Sequence, residues 1–116
     1  MLPLQHRLKH TSDVALVRKQ GQSWRHPLLI LLVRANGQEI SRFAFVASRF
    51  VGKAVVRNRA KRLLREVIRH YLPYIATGWD CLLIARVGLS QASLEEVNAA
   101  VVQLLTRAHL LQENSD

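Results

Sequence analysis

Apolar positions change their period several times along the chain, and each change marks an element. Val14-Ala-Leu-Val-Arg-Lys-Gln20 lies between Ser12-Asp13, an N-cap with an acid in the first turn, and Gly21, a suitable residue just past a helix end. This predicts a short helix. The run Leu28 to Val33 is continuously apolar, starts after Pro27 and is followed by Asn36-Gly37. It is too short for a free-standing helix and reads as a strand. An Asn-Gly pair between apolar segments is the strongest short-range hairpin signal, because both central residues of a type I′ turn need positive φ. The expected partner is Ile40 to Ala47, with Phe43 and Phe45 on one face and Arg42, Ala44 and Val46 on the other.

Beyond that pair the period becomes helical. At 100° per residue, Val56, Ala60, Leu63, Leu64, Val67, Ile68 and Tyr71 share an arc of about 140°, the mark of a helix packed on a core. Pro73 and Gly78 close it, and Asp80-Cys-Leu-Leu-Ile-Ala85 follows as a continuously apolar, central strand. Ser93-Leu-Glu-Glu96 matches a capping box, and Val97, Val101, Leu104, Ala108 and Leu111 repeat at spacings of four and three. Residues 1–11 and 112–116 are expected to be loosely held. The order helix, strand, strand, helix, strand, helix gives a single α+β domain with a small sheet, large enough at 116 residues to fold without staples.

Cysteine content sharpens this picture. With Cys81 alone, no internal disulfide or cysteine metal cluster forms within one chain, which fits a reducing, cytoplasmic setting. The N-terminus lacks the apolar core of a signal peptide, and no apolar run approaches the ~20 residues that span a bilayer. A soluble protein is expected.

Charge changes the picture more. Residues 1–48 carry seven basic and two acidic side chains, residues 49–70 carry eight and one, and residues 71–116 carry two and five; these segments contribute +5, +7 and −3 to the formal net charge of +9. Self-repulsion at the density of the middle segment points to a polyanionic partner, nucleic acid first and an anionic membrane surface second.

Opposite the apolar arc of the middle helix lie Arg57, Lys61, Arg65, Asn58, Arg69, Arg62 and Arg59 in angular order. Arg57, Lys61, Arg65 and Arg69 form a strict i, i+4 row, with Asn58 and Arg62 beside it. Like charges at that spacing weaken a bare helix by a few tenths of a kcal/mol per pair. Packing must therefore hold the helix, and the charge serves something else. Each i, i+4 step rises ~6 Å, comparable with the phosphate spacing of a nucleic-acid strand, and arginine favours phosphate through its planar fork. Asn58 both donates and accepts, which suits a ribose hydroxyl, a base edge or a brace between Arg57 and Arg59. A merely solvated face would intersperse acids, yet Glu66 is the one acid between Val51 and His70.

The stretch Gly52-Lys-Ala-Val-Val-Arg57-Asn58-Arg59-Ala-Lys61-Arg62-Leu-Leu-Arg65-Glu66 resembles the signature of the protein component of bacterial ribonuclease P. Arg7-Leu8, the short helix to Gly21-Gln-Ser23, Phe43-Ala-Phe-Val-Ala-Ser48-Arg49 and Asp80-Cys-Leu-Leu-Ile-Ala-Arg86 extend the likeness over nearly the whole chain. It implies a small mixed four-stranded sheet in α-β-β-β-α-β-α order, the signature helix lying in a left-handed crossover. The additional strand falls at Ser23 to His26.

The resemblance also implies a function: a subunit that binds a large catalytic RNA and the 5′ leader of precursor tRNA, in a 1:1 protein–RNA complex that frees the mature 5′ end. RNA and Mg²⁺ carry the chemistry in that picture; the protein alone supplies no cofactor and no catalytic residue. Lys53, Arg57, Asn58, Arg59, Lys61, Arg62, Arg65 and Arg69 are the implied contacts to catalytic RNA. Val14, Arg42, Phe43, Phe45, Ser48, Arg49 and Arg86 are the implied leader residues, in a cleft between the sheet and the first helix. Two positions depart from the family pattern. Val14 replaces a phenylalanine on which bases can stack, and Phe50 stands where a second lysine often follows Arg49.

A non-catalytic ribosomal or regulatory RNA- or DNA-binding module is the competing reading, since basic helices also enter the major groove. A stand-alone enzyme is the third. Against it, Asp13, Glu95 and Glu96 sit at helix starts where dipole and capping explain them. His6 and His10 are four apart but precede the first capping signal and have no evident third ligand. His26, His70 and His109 are isolated, and Ser48 has no His-Asp support. Trp24 and Trp79 read as core or rim residues.

Overall fold

The computed structural model describes residues 2–111. Helices α1 (Thr11–Gln20), α2 (Ala54–Tyr71) and α3 (Leu94–Arg107) pack around a sheet of β1 (Gln22–Arg25), β2 (Leu29–Ala35), β3 (Arg42–Ala47) and β4 (Trp79–Ala85). The chain order is therefore the implied α-β-β-β-α-β-α, in a mixed four-stranded sheet. β1 occupies the stretch where the additional strand was expected.

The strand order is β1-β2-β4-β3, antiparallel between β1 and β2 and between β2 and β4, parallel between β3 and β4. This corrects the expected hairpin. β2 and β3 do not pair; β4 inserts between them. Its apolar sequence suits a central position, and burial of five of its seven residues follows. Gly37 has φ 69°, but Asn36 does not share the positive φ that a type I′ turn requires. Its amide instead accepts from the backbone of Gln38 and donates to the Ile40 carbonyl and to Asp80 on β4. A turn residue that reads locally as a hairpin signal is used for a tertiary contact.

Alternation divides the sheet into two faces. Leu31, Val33, Phe43, Cys81 and Leu83 point toward α2 and α3 and join Ala60, Leu64, Ile68, Val101 and Leu104 in the main core. Leu32, Ala44, Val46, Leu82 and Ile84 point toward α1, where Leu8, Val14 and Val17 cover them only in part. The first layer is closed, and the second leaves half-buried apolar surface.

Helix ends follow local chemistry, with one correction. Ser93 and Glu96 close the capping box of α3 reciprocally, at 3.1 and 3.0 Å. α1 begins two residues earlier than expected, with His10 at its N-cap and no side-chain cap. Asp13 is turned instead toward Arg42, 3.5 Å away. Gly21 ends α1 at φ −73°, so left-handed geometry is not its purpose. A Cβ there would run into the Val17 carbonyl oxygen.

Within residues 2–10, part of the stretch expected to be loosely held, Pro3, Leu4, Gln5, Lys9 and His10 are exposed, and two leucines anchor the segment. Leu2 and Leu8 are buried, and the Leu8 amide donates to the Phe43 carbonyl at 2.8 Å. The expectation for residues 112–116 falls outside the described residues.

Cys81 is fully buried, and burial pushes its thiol well above the ordinary 9.0. The folded thiol keeps its proton where the unfolded one loses it. Stability is then complete below about pH 9 and falls as pH rises past it, by up to about 1.4 kcal/mol per pH unit. Urea midpoints measured on both sides of that pH should decline less steeply for Cys81→Ala than for the parent.

Candidate nucleic-acid interface

α2 presents its charge because packing has fixed its orientation. Ala60, Leu64, Val67 and Ile68 are buried against the sheet and α3; each large side chain among them contributes roughly 1.5–3 kcal/mol. Turned outward by the same wheel, Asn58, Arg59, Arg62 and Arg69 are exposed, while Arg57, Lys61 and Arg65 are half-buried. The basic face therefore exists as a surface of one rigid helix.

Not every charge on it is equally available. Arg69 pairs with Glu66 at 2.6 Å, which holds the Glu66 carboxyl below its ordinary range. Both side chains are about half exposed, so the pair adds little stability. The Arg59 Nε donates to the Ser90 carbonyl at 2.9 Å, tying α2 to the turn before α3. The Arg65 guanidinium lies 5.6 Å from the Phe45 ring centroid, a cation–π arrangement. Lys53, Arg57, Lys61 and Arg62 form no salt bridge among the described residues.

Arg57 adds a specific signal. Its Nε is buried and has no hydrogen-bond partner among the described residues, an arrangement that costs roughly 1–3 kcal/mol unless water or a ligand satisfies it. The start of α2 adds another. Lys53 at the N-cap makes no side-chain cap, and no acid lies in the first turn. The positive end of the helix dipole therefore coincides with basic side chains, an alignment that favours an anion.

A groove lies on each flank of this helix. One, about 420 Å³, is bounded by Arg7, Lys9, Phe45 and Arg65; the other, about 330 Å³, by Arg59, Arg62, Leu63 and Leu94. The ridge of α2 thus carries cations toward both sides.

The residues expected in a leader cleft do not form one cluster. Val14 lies beside the α1 face of the sheet. Arg42 shares that face, but Asp80 holds its guanidinium at 2.9 and 2.7 Å, which raises its pKa. Phe43 and Phe45 belong to the opposite layer: Phe43 is buried in the main core, and Phe45 packs against it under Arg65. Grouping them with Val14 is corrected by the two-residue period of β3, which sends odd and even positions to different sides. Ser48, Arg49 and Arg86 are exposed, beyond the ends of β3 and β4.

Sequence reasoning passed over Leu32, Ala44, Val46 and Ile84, the half-buried apolar floor beside α1. Alternation in β3 had already placed Ala44 and Val46 opposite the two phenylalanines. The usable signal was parity.

Other candidate chemistry is accounted for by local contacts. His6 Nδ1 lies 2.8 Å from the Ser41 carbonyl, while His10 occupies the N-cap position of α1, so the two do not share a helix face. Among the described residues no three His, Cys, Asp or Glu side chains gather as metal ligands, and no helix is long and apolar enough to cross a membrane. Trp24 and Trp79 are partly buried against the core, as expected of rim residues.

Comparison with known proteins agrees with this arrangement. The family model described as ribonuclease P matches residues 2–109. The ribonuclease P protein component of Roseiflexus castenholzii is 38% identical over 108 residues, covering 92% of this chain and 88% of the relative. That of Herpetosiphon aurantiacus is 39% identical over 104 residues, covering 90% and 85%. Among solved structures, the RNase P protein of Thermotoga maritima, in complex with 1-(4-fluorophenyl)-2-thiourea, superposes with a TM-score of 0.80 at 34% identity, covering 87% of this chain and 98% of the other. The Staphylococcus aureus RNase P protein shares the fold, with a TM-score of 0.83 at 23% identity over 92% and 98% of the two chains.

Proposed function

Because the chain belongs to the ribonuclease P protein family, we propose that α2 is the surface that seats it on a catalytic RNA. The chain is the protein subunit of an endoribonuclease that removes the 5′ leader of precursor tRNA. Its partners are ribonuclease P RNA, in a 1:1 complex, and the precursor. When bound in the holoenzyme, RNA-held Mg²⁺ supplies the hydrolytic chemistry; this chain positions RNA. A cytoplasmic location follows from those partners.

The observation that carries this reading is the solvent face of α2. Arg57, Lys61 and Arg65 run along one side at helical pitch with Asn58 and Arg62 beside them, and the Arg57 Nε has no partner among the described residues. Lys53 extends the row at the helix start. Arg59 and Arg69, held by Ser90 and Glu66, flank it and add field more than new hydrogen bonds.

For the leader, the reading rests on the half-open floor between α1 and the sheet. Val14, Ala44, Val46 and Ile84 offer apolar contact there, and Ser48, Arg49 and Arg86 stand at its end. Arg42 acts as a brace. Phe43 and Phe45 support α2 from beneath.

The test is the salt dependence of binding. Each phosphate neutralised contributes a slope of about 0.7–0.9 in log K against log salt. Lys61→Ala should reduce the slope for ribonuclease P RNA by about that amount, without shifting the thermal midpoint. An unchanged slope would remove Lys61 from the interface.

A further inference from the structure

Helix α1 lies against the apolar floor of Leu32, Ala44, Val46 and Ile84, and its two ends are joined to the sheet differently. At its C-terminal end the joint is short. Gly21 leads straight into β1, which is paired with β2, and it lies so close to β2 that a Cβ there would meet the Val33 carbonyl oxygen at 3.1 Å. Arg34 Nε of β2 donates to the Gln20 side chain at 3.0 Å as well. At the start of α1 the joint is longer: the Leu8 amide donates to the Phe43 carbonyl, and Lys9 and His10, both exposed, carry the chain on to Thr11. Val17 is the one buried residue of the helix. Its first turn is tied to the sheet by Asp13, 3.5 Å from Arg42 Nη1.

Stability does not explain this tie, because Asp13 is 29% exposed at its side chain and a pair so placed adds little. Neutralising Arg42 does not explain it either, since Asp80 already accepts from Nε and Nη2 of the same guanidinium. The helix dipole would be served by an acid elsewhere in the first turn, for instance at the exposed Ser12. A carboxylate beside a surface that receives RNA also repels phosphate. What the tie supplies is place: it fastens the loosely jointed end of α1 to a side chain that β3 and β4 already hold.

We propose that Asp13 is a positioning residue: through Arg42 it sets how far the start of α1, and with it Val14, stands from the sheet, and so fixes the width of the floor that meets the 5′ leader. The proposal rests on the leader reading and deepens it. Asp13 touches no RNA in this scheme.

The experiment moves the acid by one residue. Ser12→Asp combined with Asp13→Asn keeps the net charge and an acid in the first turn but withdraws the carboxylate from Arg42. Binding of the reconstituted holoenzyme to precursor tRNA with and without a leader is compared with binding of the protein to ribonuclease P RNA and with hydrogen exchange of the protein's amides. The ratio of leader-bearing to leaderless affinity should fall about two- to fivefold, the range an exposed ion pair can supply. Amides of α1 should exchange faster by a similar factor while those of β2 and β4 do not change. Affinity for ribonuclease P RNA and the melting midpoint should stay at the parent values, and Asp13→Glu, which keeps a carboxylate within reach of Arg42, should keep the parent ratio. An unchanged ratio, for a parent that does prefer the leader-bearing precursor, overturns the inference alone. A lower ratio without faster exchange in α1 overturns it too, because Asp13 would then act on the RNA directly; so does faster exchange throughout the chain with a lowered melting midpoint. A parent that binds both precursors equally overturns this inference together with the leader reading, while binding to ribonuclease P RNA still tests the role of α2.

Discussion

Replacing Arg57, Lys61 and Arg62 together with Ala is expected to weaken binding to ribonuclease P RNA about 100-fold at 0.15 M salt. Counterion release makes each phosphate contact worth roughly 0.7 log units of affinity at that salt, and these three side chains form no salt bridge that competes for them among the described residues. Arg57 carries an additional element. Its buried Nε has no hydrogen-bond partner among the described residues, so satisfying it on binding offsets a cost already present in the fold. The triple variant should be no less stable than the parent, because removing like charges at i, i+4 relieves repulsion. Lost affinity with unchanged or raised melting temperature is therefore the expected pattern. Loss of both would mean that the charges brace the fold.

A second large effect is expected at Asp80, on stability. Asp80 is 2% exposed at its side chain and accepts from Nε and Nη2 of the Arg42 guanidinium, itself 17% exposed. It also accepts from Asn36, so one carboxylate joins β4, β3 and the segment after β2, while Asp13 of α1 approaches Arg42 from the other side. Asp80→Ala leaves a mostly buried guanidinium and an amide without their acceptor. Breaking a buried pair in this way costs about 3–5 kcal/mol, enough to lower the melting midpoint by roughly 10–20 °C. Removing both partners, as Arg42→Met with Asp80→Leu, should recover much of that loss, because no orphaned charge remains. A single-variant cost below about 1 kcal/mol in urea titration would show that the clamp is not structural. Arg42 would then return to the set of RNA-facing candidates.

These two sites differ in how far the sequence disclosed them. The α2 face was legible because helical periodicity is a local property: the burial of Ala60, Leu64, Val67 and Ile68 and the exposure of Asn58 and Arg62 follow from spacing alone. The capping box at Ser93 was legible for the same reason. Asn36-Gly37 misled because a turn dipeptide reports local preference, whereas strand order depends on which strand best fills the centre of the sheet. The apolar β4 takes that place and forces β2 and β3 apart. The clamp was invisible for a related reason. Arg42, Asp80 and Asn36 are brought together only by that non-local pairing.

The residues expected at the leader fall between these cases. Phe43, Phe45 and Val14 were grouped by likeness to a family, but the period of a strand separates them. Ala44 and Val46, adjacent to the chosen positions, are the ones that face α1. Arg49 and Arg86 follow strands that end at the same side of the sheet for a topological reason, since parallel strands deliver their following loops to one end.

The decisive measurement is cleavage of precursor tRNA by a bacterial ribonuclease P RNA at low Mg²⁺, with and without this protein. A subunit that seats on the catalytic RNA through α2 and holds the leader should raise cleavage at subsaturating precursor. The gain should be largely lost with the Arg57, Lys61 and Arg62 triple variant. No gain on adding the parent protein, under conditions where it is folded and binds that RNA, would contradict the assignment.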